Sequence, residues 1–149
     1  MGTLSLPPGA LAYVDAQIVI YTVERSPMYE PCLRPLWSAA KSGAITVFTS
    51  ELTVLETSVV PIRSGDSELL ADFERTLLGS DIRTLPISLA VLREAARLRA
   101  TLAGLRTPDA IHAATAALHG CTLFVTNDLI FKRMSSLNVA ILDDVLASA

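Results

Sequence analysis

Four acidic side chains stand in this sequence where they could meet at one site. Asp15 and Asp128 each follow a short apolar run, and Asp109 lies in the first turn of a predicted helix. Glu56 interrupts an otherwise apolar helical stretch, so its carboxylate faces either solvent or a polar cleft. If the strands are parallel, the four carboxylates converge at one edge of the sheet. Oxygen ligands of this kind suit Mg²⁺ or Mn²⁺, so a divalent-metal site is the first chemistry that the pattern suggests.

Some of these acids also have a simpler structural explanation. Asp15 could cap the helix that follows it, and Asp109 would stabilise its own helix by about 0.3–1 kcal/mol through the dipole. Glu51 lies in a first turn as well and has the same explanation. It is separated from Glu56 by about 140° of helix rotation, so we do not expect Glu51 and Glu56 to serve one site.

Short β-branched runs alternate with longer helical patterns, which is typical of βα units in a parallel sheet. The predicted strands are 11–15, 44–49, 82–87, 122–126 and 139–142, and the predicted helices are 17–24, 31–42, 50–60, 66–78, 89–102, 108–118 and 128–134. The fold class is therefore α/β. If the first and fourth strands are neighbours, Asp15 and Asp128 flank the crevice at the topological switch point, where ligands of open α/β sheets bind.

Local signals define several helix ends. Ser50 is a candidate N-cap, Thr107 followed by Pro108 predicts a cap and a first helical residue, and Gly120 marks the end of that helix. The alanines after Asp109 leave room for the helix to pack closely against a sheet. Residues 61–66 predict a tight break between two helices, so we expect a helical hairpin beside the sheet.

The composition predicts one compact domain over residues 1–149, with residues 1–10 as a flexible N-terminal segment. The chain is 51% hydrophobic and 18% charged, well outside the disordered range. Residues 1–10 lack the basic start and long apolar stretch of a secretion signal, and no apolar run reaches about 18 residues. We therefore expect a cytoplasmic protein with no membrane span. Cys32 and Cys121 fit no zinc spacing and are expected to be small buried apolar residues.

The net charge of −3 argues against a protein that coats nucleic acid nonspecifically. It does not exclude a nuclease, because divalent ions would reverse the local sign of four metal-binding carboxylates. The densest basic stretch could contact a phosphate backbone or form a solvated helix face, and it comprises Arg93, Arg97, Arg99 and Arg106.

Two other α/β classes fit the sequence poorly. No glycine-rich phosphate loop follows the first strand, where residues 15–18 read DAQI, so a dehydrogenase or P-loop enzyme is disfavoured. A phosphoacceptor receiver domain of similar topology normally has paired acids after the first strand, an aspartate after the third and a lysine after the fifth. This chain has one acid after the first strand, Ser88 near the end of the third and Asp143 after the fifth.

Four segments resemble the signature blocks of the PIN-domain ribonucleases, and among them those of VapC-type toxins. The segments are YVDAQIVIY (13–21), SELTVLE (50–56), TPDAIHAAT (107–115) and VTNDLIF (125–131). They occur in the family's order and span nearly the whole chain. The resemblance implies a three-layer α/β/α architecture around a five-stranded parallel sheet of order 3-2-1-4-5.

The resemblance also implies a function. Asp15, Glu56, Asp109 and Asp128 would bind Mg²⁺ or Mn²⁺ and catalyse hydrolysis of RNA, with Thr126 and Asn127 shaping the rim of the site. Gln17 departs from the family pattern, which has a small amide or hydroxyl residue at that position. His112 could contact the site or RNA, although a structural role is the expectation.

A VapC-type toxin would have a small antitoxin partner and would form a homodimer. The apolar hairpin of residues 52–60 and 69–77 is the expected interaction surface. The alternative is a PIN-like domain with weak catalysis that serves as an RNA- or protein-binding module.

Overall fold

The computed structural model describes residues 2–79 and 81–148. Within them, five parallel strands form one sheet of order β3-β2-β1-β4-β5, as expected. The strands are β1 (Leu11–Val14), β2 (Thr46–Ser50), β3 (Arg83–Leu85), β4 (Leu123–Thr126) and β5 (Val139–Ile141). β1 pairs with β4 through Ala12 and Leu123, so the predicted neighbourhood of the first and fourth strands is confirmed. β2 and β3 lie on one side of β1, whereas β4 and β5 lie on the other, and this change in strand order opens a crevice at the carboxyl ends of β1 and β4.

Helices cover both faces of the sheet. They are α1 (Ala16–Val23), α2 (Glu30–Ser42), α3 (Leu52–Ser64), α4 (Ser67–Leu77), α5 (Leu89–Thr101), α6 (Thr107–Leu118) and α7 (Leu142–Ala147), with a 3₁₀ helix at Leu129–Arg133. Alternate residues of β1 face opposite layers, as strand geometry requires. Val14 packs with α1 and α2 in one core, whereas Tyr13 packs with α5 and α6 in the other. The molecule is a three-layer α/β/α sandwich.

The predicted end of the third helix is wrong. α3 does not end at residue 60 but continues through Pro61 to Ser64. The proline ring is buried, which offsets the backbone hydrogen bond that proline cannot make. The helix ends at Gly65, whose φ of 70° is the left-handed conformation that glycine adopts most readily. Asp66 then caps α4 by accepting a hydrogen bond from the Leu69 N–H at 3.0 Å.

The last third of the chain also departs from prediction. The expected helix at 128–134 is a 3₁₀ helix, in which the buried Phe131 and Met134 stand three residues apart and enter the same core. The expected strand at 139–142 ends at Ile141, and Leu142 begins the short α7. Leu142 is fully buried, so its apolar character is equally compatible with either element.

Both predicted N-caps differ in detail. Ser50 is the last residue of β2, although its Oγ does accept a hydrogen bond from the Leu52 N–H at 3.0 Å. Thr107 is the first residue of α6 rather than its cap. Its hydroxyl accepts from Arg99 Nη1 at 2.8 Å, so the side chain is engaged with α5 instead of the end of its own helix.

The N-terminal segment and the cysteines complete the core. Residues 2–10 form no regular element, yet Leu4 is buried and the Gly2 N–H donates to the Val145 carbonyl at 3.2 Å. Met1, the first residue of the predicted flexible segment, lies outside the described residues. Cys32 is buried as expected, whereas Cys121 is only half-buried, and burial raises the pKa of its thiol to about 11. No helix in the ranges 2–79 and 81–148 is long and apolar enough to cross a bilayer.

The tight packing of α6 on the sheet generates a stability prediction. Ala114 is fully buried and belongs to the core that α6 shares with the sheet. We expect Ala114→Leu to lower the free energy of unfolding by about 1–3 kcal/mol through overpacking. Ala100→Leu, on the exposed face of α5, is the matched control and should change it by no more than about 0.5 kcal/mol. Urea unfolding of both variants makes the measurement, and equal stability would contradict this packing.

Candidate active site

The four predicted acids line one cleft. Asp15, Glu56, Asp109 and Asp128 surround a cavity of about 620 Å³ at the carboxyl ends of β1 and β4. Its remaining walls are provided by α1, α6 and the 3₁₀ helix, with polar contributions from Gln17, Tyr21, Arg106, His112 and Asn127. The pairing of β1 with β4 therefore brings together Asp15 and Asp128, which are 113 positions apart in the sequence.

Asp15 both caps α1 and faces the cleft. Its Oδ1 accepts a hydrogen bond from the Ile18 N–H at 3.3 Å, and its Oδ2 accepts from the Thr126 hydroxyl. The residue is only 6% exposed. Burial raises the pKa of Asp15, and the bond from Thr126 opposes that rise. The structural and functional explanations of Asp15 are thus compatible, since one carboxylate does both.

Thr126 connects Asp15 to Asp128. The Thr126 hydroxyl donates to Asp15 and accepts a hydrogen bond from the Asp128 N–H at 3.0 Å. Asp128 itself is exposed, and its Oδ1 accepts from the Ile130 N–H at 3.0 Å at the start of the 3₁₀ helix. One buried hydroxyl therefore fixes the spacing between two acids that follow adjacent strands.

Asp109 lies in the first turn of α6 and is only 7% exposed. Its one side-chain partner in the described chain is Arg106, whose Nε donates to Asp109 Oδ2 at 3.3 Å. The Arg106 side chain is 73% exposed, so the pair is weak and open to solvent. A buried acid with so little compensation is costly unless the cleft holds a further positive charge.

Arg106 is distinguished from the other arginines of the basic stretch by its position in the cleft. Arg97 pairs with Glu94 on the surface of α5. Arg99 donates to the Leu105 carbonyl at 2.9 Å and so supports the loop before α6. Arg93 is exposed on α5. Of these four residues, Arg106 is the one that lines the cavity of the acids.

Glu56 reaches the cleft from α3. The start of α3 is held against β1 by hydroxyls, since Thr49 donates to the Val14 carbonyl at 2.7 Å and bonds Thr53 at 2.7 Å. Glu56 lies one turn further along the helix, and its Oε1 is hydrogen-bonded to His112 Nε2. Glu51 points elsewhere, because its Oε1 accepts from the Ile87 N–H at 3.1 Å. The predicted separation of Glu51 from Glu56 is confirmed.

His112 is the residue that sequence reasoning undervalued. It is buried, its Nε2 lies 2.6 Å from Glu56 Oε1, and its Nδ1 lies 2.6 Å from the Tyr13 hydroxyl. The sequence did contain a signal. His112 follows Asp109 by three residues, so the two side chains share a helix face.

Asn127 lines the cleft at its outer edge, but its amide serves mainly to hold a polar cluster. Its Nδ2 donates to the hydroxyls of Tyr21 and Tyr29 and to Asp143, at 3.2, 2.9 and 3.2 Å. Tyr29 donates to Asp143 at 2.7 Å, which raises the pKa of Tyr29 to about 12. The two tyrosine rings stack at 4.1 Å, so the rim beside Asp128 is rigid. Gln17, the departure from the family pattern, is exposed on α1 and lines the same cleft.

The carboxylates share a cleft without forming a closed metal cage. Across residues 2–79 and 81–148, no group of three or more His, Cys, Asp or Glu side chains is already arranged to hold a metal ion. Three of the acids have their own side-chain partner, which is Thr126 for Asp15, His112 for Glu56 and Arg106 for Asp109. Asp128 accepts from the backbone N–H of Ile130. The arrangement is an open, acidic cleft with the acids on separate walls.

Comparison with known proteins places this fold. The structure is similar to VapBC2 from Rickettsia felis bound to a DNA fragment from its promoter, with a TM-score of 0.70, 19% identity, and coverage of 88% of this chain and 98% of that one. A toxin–antitoxin complex from Klebsiella pneumoniae has a TM-score of 0.66 and 21% identity, and the alignment covers 88% of this chain and 97% of that one. The sarcin–ricin-loop-cleaving toxin VapC20 from Mycobacterium tuberculosis has a TM-score of 0.66 and 16% identity, with coverage of 83% of this chain and 95% of that one. No curated protein matches the sequence significantly.

At these identities the structural likeness shows the fold alone. The sequence itself matches the family described as PIN domain over residues 12–137. This range contains all four acids of the cleft, the strands β2, β3 and β4, and β1 from Ala12 onward. Most of the chain is therefore covered by the match, and the protein belongs to the PIN-domain family.

Proposed function

We propose that this protein is a metal-dependent endoribonuclease and the toxin of a toxin–antitoxin pair. The observation that carries the proposal is the convergence of Asp15, Glu56, Asp109 and Asp128 on one cleft. Membership of the PIN-domain family supports it, as does the likeness of the fold to VapC20, a toxin described as cleaving the sarcin–ricin loop. A cytoplasmic location, where RNA is available, is part of the same proposal.

The chemistry of the cleft fits Mg²⁺ or Mn²⁺. All four acids offer carboxylate oxygens, which these hard cations prefer over nitrogen or sulfur. Asp15 and Asp109 are both buried, and the exposed Arg106 compensates Asp109 only partly. Mg²⁺ keeps several of its waters and needs only one or two carboxylates, so an open cleft without a closed cage suits it. Asp15, Glu56, Asp109 and Asp128 are the residues that would bind the metal.

Hydrolysis of a phosphodiester adds water across a P–O bond, and both the phosphate and the attacking water must be made reactive. A divalent ion, when bound, supplies neutralisation of the phosphoryl charge and a lowered pKa of water. The four carboxylates would bind the metal ion and orient the attacking water. Arg106 at the rim neutralises a phosphate of the incoming RNA strand. A carboxylate oxygen of the cleft accepts one proton of the attacking water, and the leaving oxygen takes a proton from solvent in the open cleft as its P–O bond breaks. His112, with both ring nitrogens engaged, is not required as the base.

The partner of the proposed toxin would dock on the helical hairpin of α3 and α4. Leu55, Val59 and Ile62 lie along α3 with helical spacing, and all three are exposed. Exposed apolar stripes of this kind mark interaction surfaces. The Klebsiella pneumoniae neighbour is a toxin–antitoxin complex, which supports an antitoxin as one occupant, and a second copy of the chain in a homodimer would use an apolar surface of the same type.

The first prediction concerns the acids themselves. Asp109→Asn and Asp128→Asn should each lower the rate of RNA cleavage by about 100-fold or more, because loss of a metal ligand removes several kcal/mol of charge stabilisation. Single-turnover cleavage of structured RNAs with Mg²⁺ or Mn²⁺ makes the measurement. Glu68→Gln, an exposed acid on α4 outside the cleft, is the matched control and should cleave at the wild-type rate. Full activity of both cleft variants would refute the assignment, and metal-bound wild-type protein that binds RNA without cutting it would favour the binding-module alternative.

The second prediction concerns the effect of Asp15 on the stability of the metal-free protein. Because burial raises the pKa of Asp15 in the folded protein, the ionised carboxylate destabilises the metal-free fold at neutral pH. Asp15→Asn should therefore raise the free energy of unfolding in EDTA at pH 7 by about 0.5–2 kcal/mol, the range for stabilising substitutions at functional sites. Asparagine can still cap α1.

The pH dependence fixes the sign of this effect. Below about pH 4, Asp15 is protonated in both the folded and the unfolded state, so the advantage of Asn should disappear there. Denaturant unfolding at pH 7 and at the lowest pH where both proteins fold makes the comparison. A less stable variant at pH 7 would show that Asp15 is compensated without a metal.

The third prediction compares the contribution of Arg106 to RNA binding with that of another arginine of the basic stretch. Arg106→Ala should raise KM for RNA by roughly fivefold, as expected for an exposed charge worth about 1 kcal/mol, and should reduce the salt slope of binding by roughly 0.7. Arg93→Ala, which removes an exposed arginine of α5 outside the cleft, should leave both quantities unchanged. RNA binding titrated at several salt concentrations makes the measurement, and equal effects of the two variants would mean that the whole basic stretch contacts RNA.

A further inference from the structure

Two short hydrogen bonds connect the sheet to Glu56 through a buried histidine. The Tyr13 hydroxyl lies 2.6 Å from His112 Nδ1, and His112 Nε2 lies 2.6 Å from Glu56 Oε1. The His112 side chain is 3% exposed, whereas that of Glu56 is 28% exposed and reaches the cleft. The three residues come from β1, α6 and α3, so the connection crosses three elements.

The direction of these hydrogen bonds follows from their chemistry. An ionised carboxylate can only accept, so His112 Nε2 must carry a proton toward Glu56. A neutral imidazole then has a lone pair on Nδ1, which accepts from the Tyr13 hydroxyl. The opposite tautomer would direct the Nε2 lone pair at the carboxylate. Burial favours the protonated phenol as well, since the pKa of Tyr13 is raised well above its usual value.

Tyr13 is held firmly enough to set the position of the imidazole. It is completely buried, and its ring stacks on Phe124 of β4 with centroids 5.0 Å apart. The His112 ring meets Tyr13 edge-on at 5.8 Å. No buried side-chain nitrogen or oxygen in the described chain lacks a partner, so the Tyr13 hydroxyl and both ring nitrogens of His112 are all paired.

The orientation of Glu56 depends on this arrangement. Glutamate has three side-chain torsions, and Glu56 projects from a helix surface where they would otherwise be free. The bond from His112 engages Oε1, which leaves Oε2 as the oxygen available to the cleft. His112 lies one turn after Asp109 on α6, so the helix that supplies one acid also orients another.

We propose that His112 and Tyr13 are positioning residues, which hold Glu56 as a preoriented ligand in the cleft without contacting the metal or the RNA themselves. The inference rests on the proposed function, because it assigns Glu56 to a metal site. It goes beyond that proposal by assigning specific roles to a histidine and a tyrosine outside the acidic set. Partners of this kind orient ligands in metal sites, and their loss commonly costs 10–100-fold in metal affinity.

Metal affinity tests the role directly. Mn²⁺ binding to the full chain, measured by calorimetry, should weaken about 10–100-fold in His112→Leu. His112→Gln should bind within about threefold of wild type, because its amide nitrogen can take the place of Nε2 and donate to Glu56. Tyr13→Phe should lie between the two variants.

Thr115→Val provides the matched control. Thr115 is buried on α6 one turn from His112, and its hydroxyl donates only to the Ile111 carbonyl at 2.6 Å. Its replacement removes a buried hydroxyl without affecting Glu56, so Mn²⁺ affinity should stay at the wild-type value. Affinity retained in His112→Leu, or no rescue in His112→Gln while Thr115→Val binds normally, would overturn the proposal.

The imidazole tautomer gives a second readout that needs no metal. In ¹⁵N spectra of the wild-type protein, His112 should show the Nε2–H tautomer, and Tyr13→Phe should populate both tautomers. A predominant Nδ1–H form would overturn the positioning role even if Mn²⁺ binds. Wild-type protein that shows the expected tautomer but binds no Mn²⁺ would instead refute the metal site and leave the Tyr13–His112–Glu56 contact standing as structure only.

Discussion

The placement of carboxylates in a confined cleft is the constraint on which the rest of the structure depends. Asp15 and Asp109 are nearly buried, and Asp128 and Glu56 face the same cavity. Like charges in one cleft destabilise one another, and burial raises the pKa of Asp15. The fold tolerates this only because the acids are attached to separate elements and each has a hydrogen-bond donor. The proposed divalent cation would neutralise the negative charge that these donors leave.

The supporting residues follow from that constraint. A parallel sheet is needed so that β1 and β4 deliver Asp15 and Asp128 to one edge, and the close approach of α6 depends on buried alanines such as Ala114. Thr126 links two of the acids through one hydroxyl. The same side chains therefore support the fold and the cleft: Asp15 caps a helix and Thr126 ends a strand, and the two are hydrogen-bonded to each other at the cleft.

Much of this could be predicted from sequence because short-range patterns determine it. The β-branched runs predicted the sheet, and the position of Asp15 and Asp128 after their strands predicted the shared edge. Contacts between distant residues were not visible. Nothing near Tyr13 indicates that its hydroxyl meets a histidine 99 residues away. The boundary at residue 60 was wrong because proline usually ends a helix, whereas Pro61 is buried inside one. α7 was missed because Leu142 suits a strand or a helix equally.

Anomalous diffraction from crystals soaked in Mn²⁺ tests the central claim most directly, since it locates the metal without relying on the choice of RNA. The account predicts an anomalous peak within the cleft, with carboxylate oxygens of Asp15 and Asp109 among its ligands and Arg106 moved away from Asp109. A peak at another surface, or an empty cleft at saturating Mn²⁺, would contradict the assignment of the four carboxylates to a metal site.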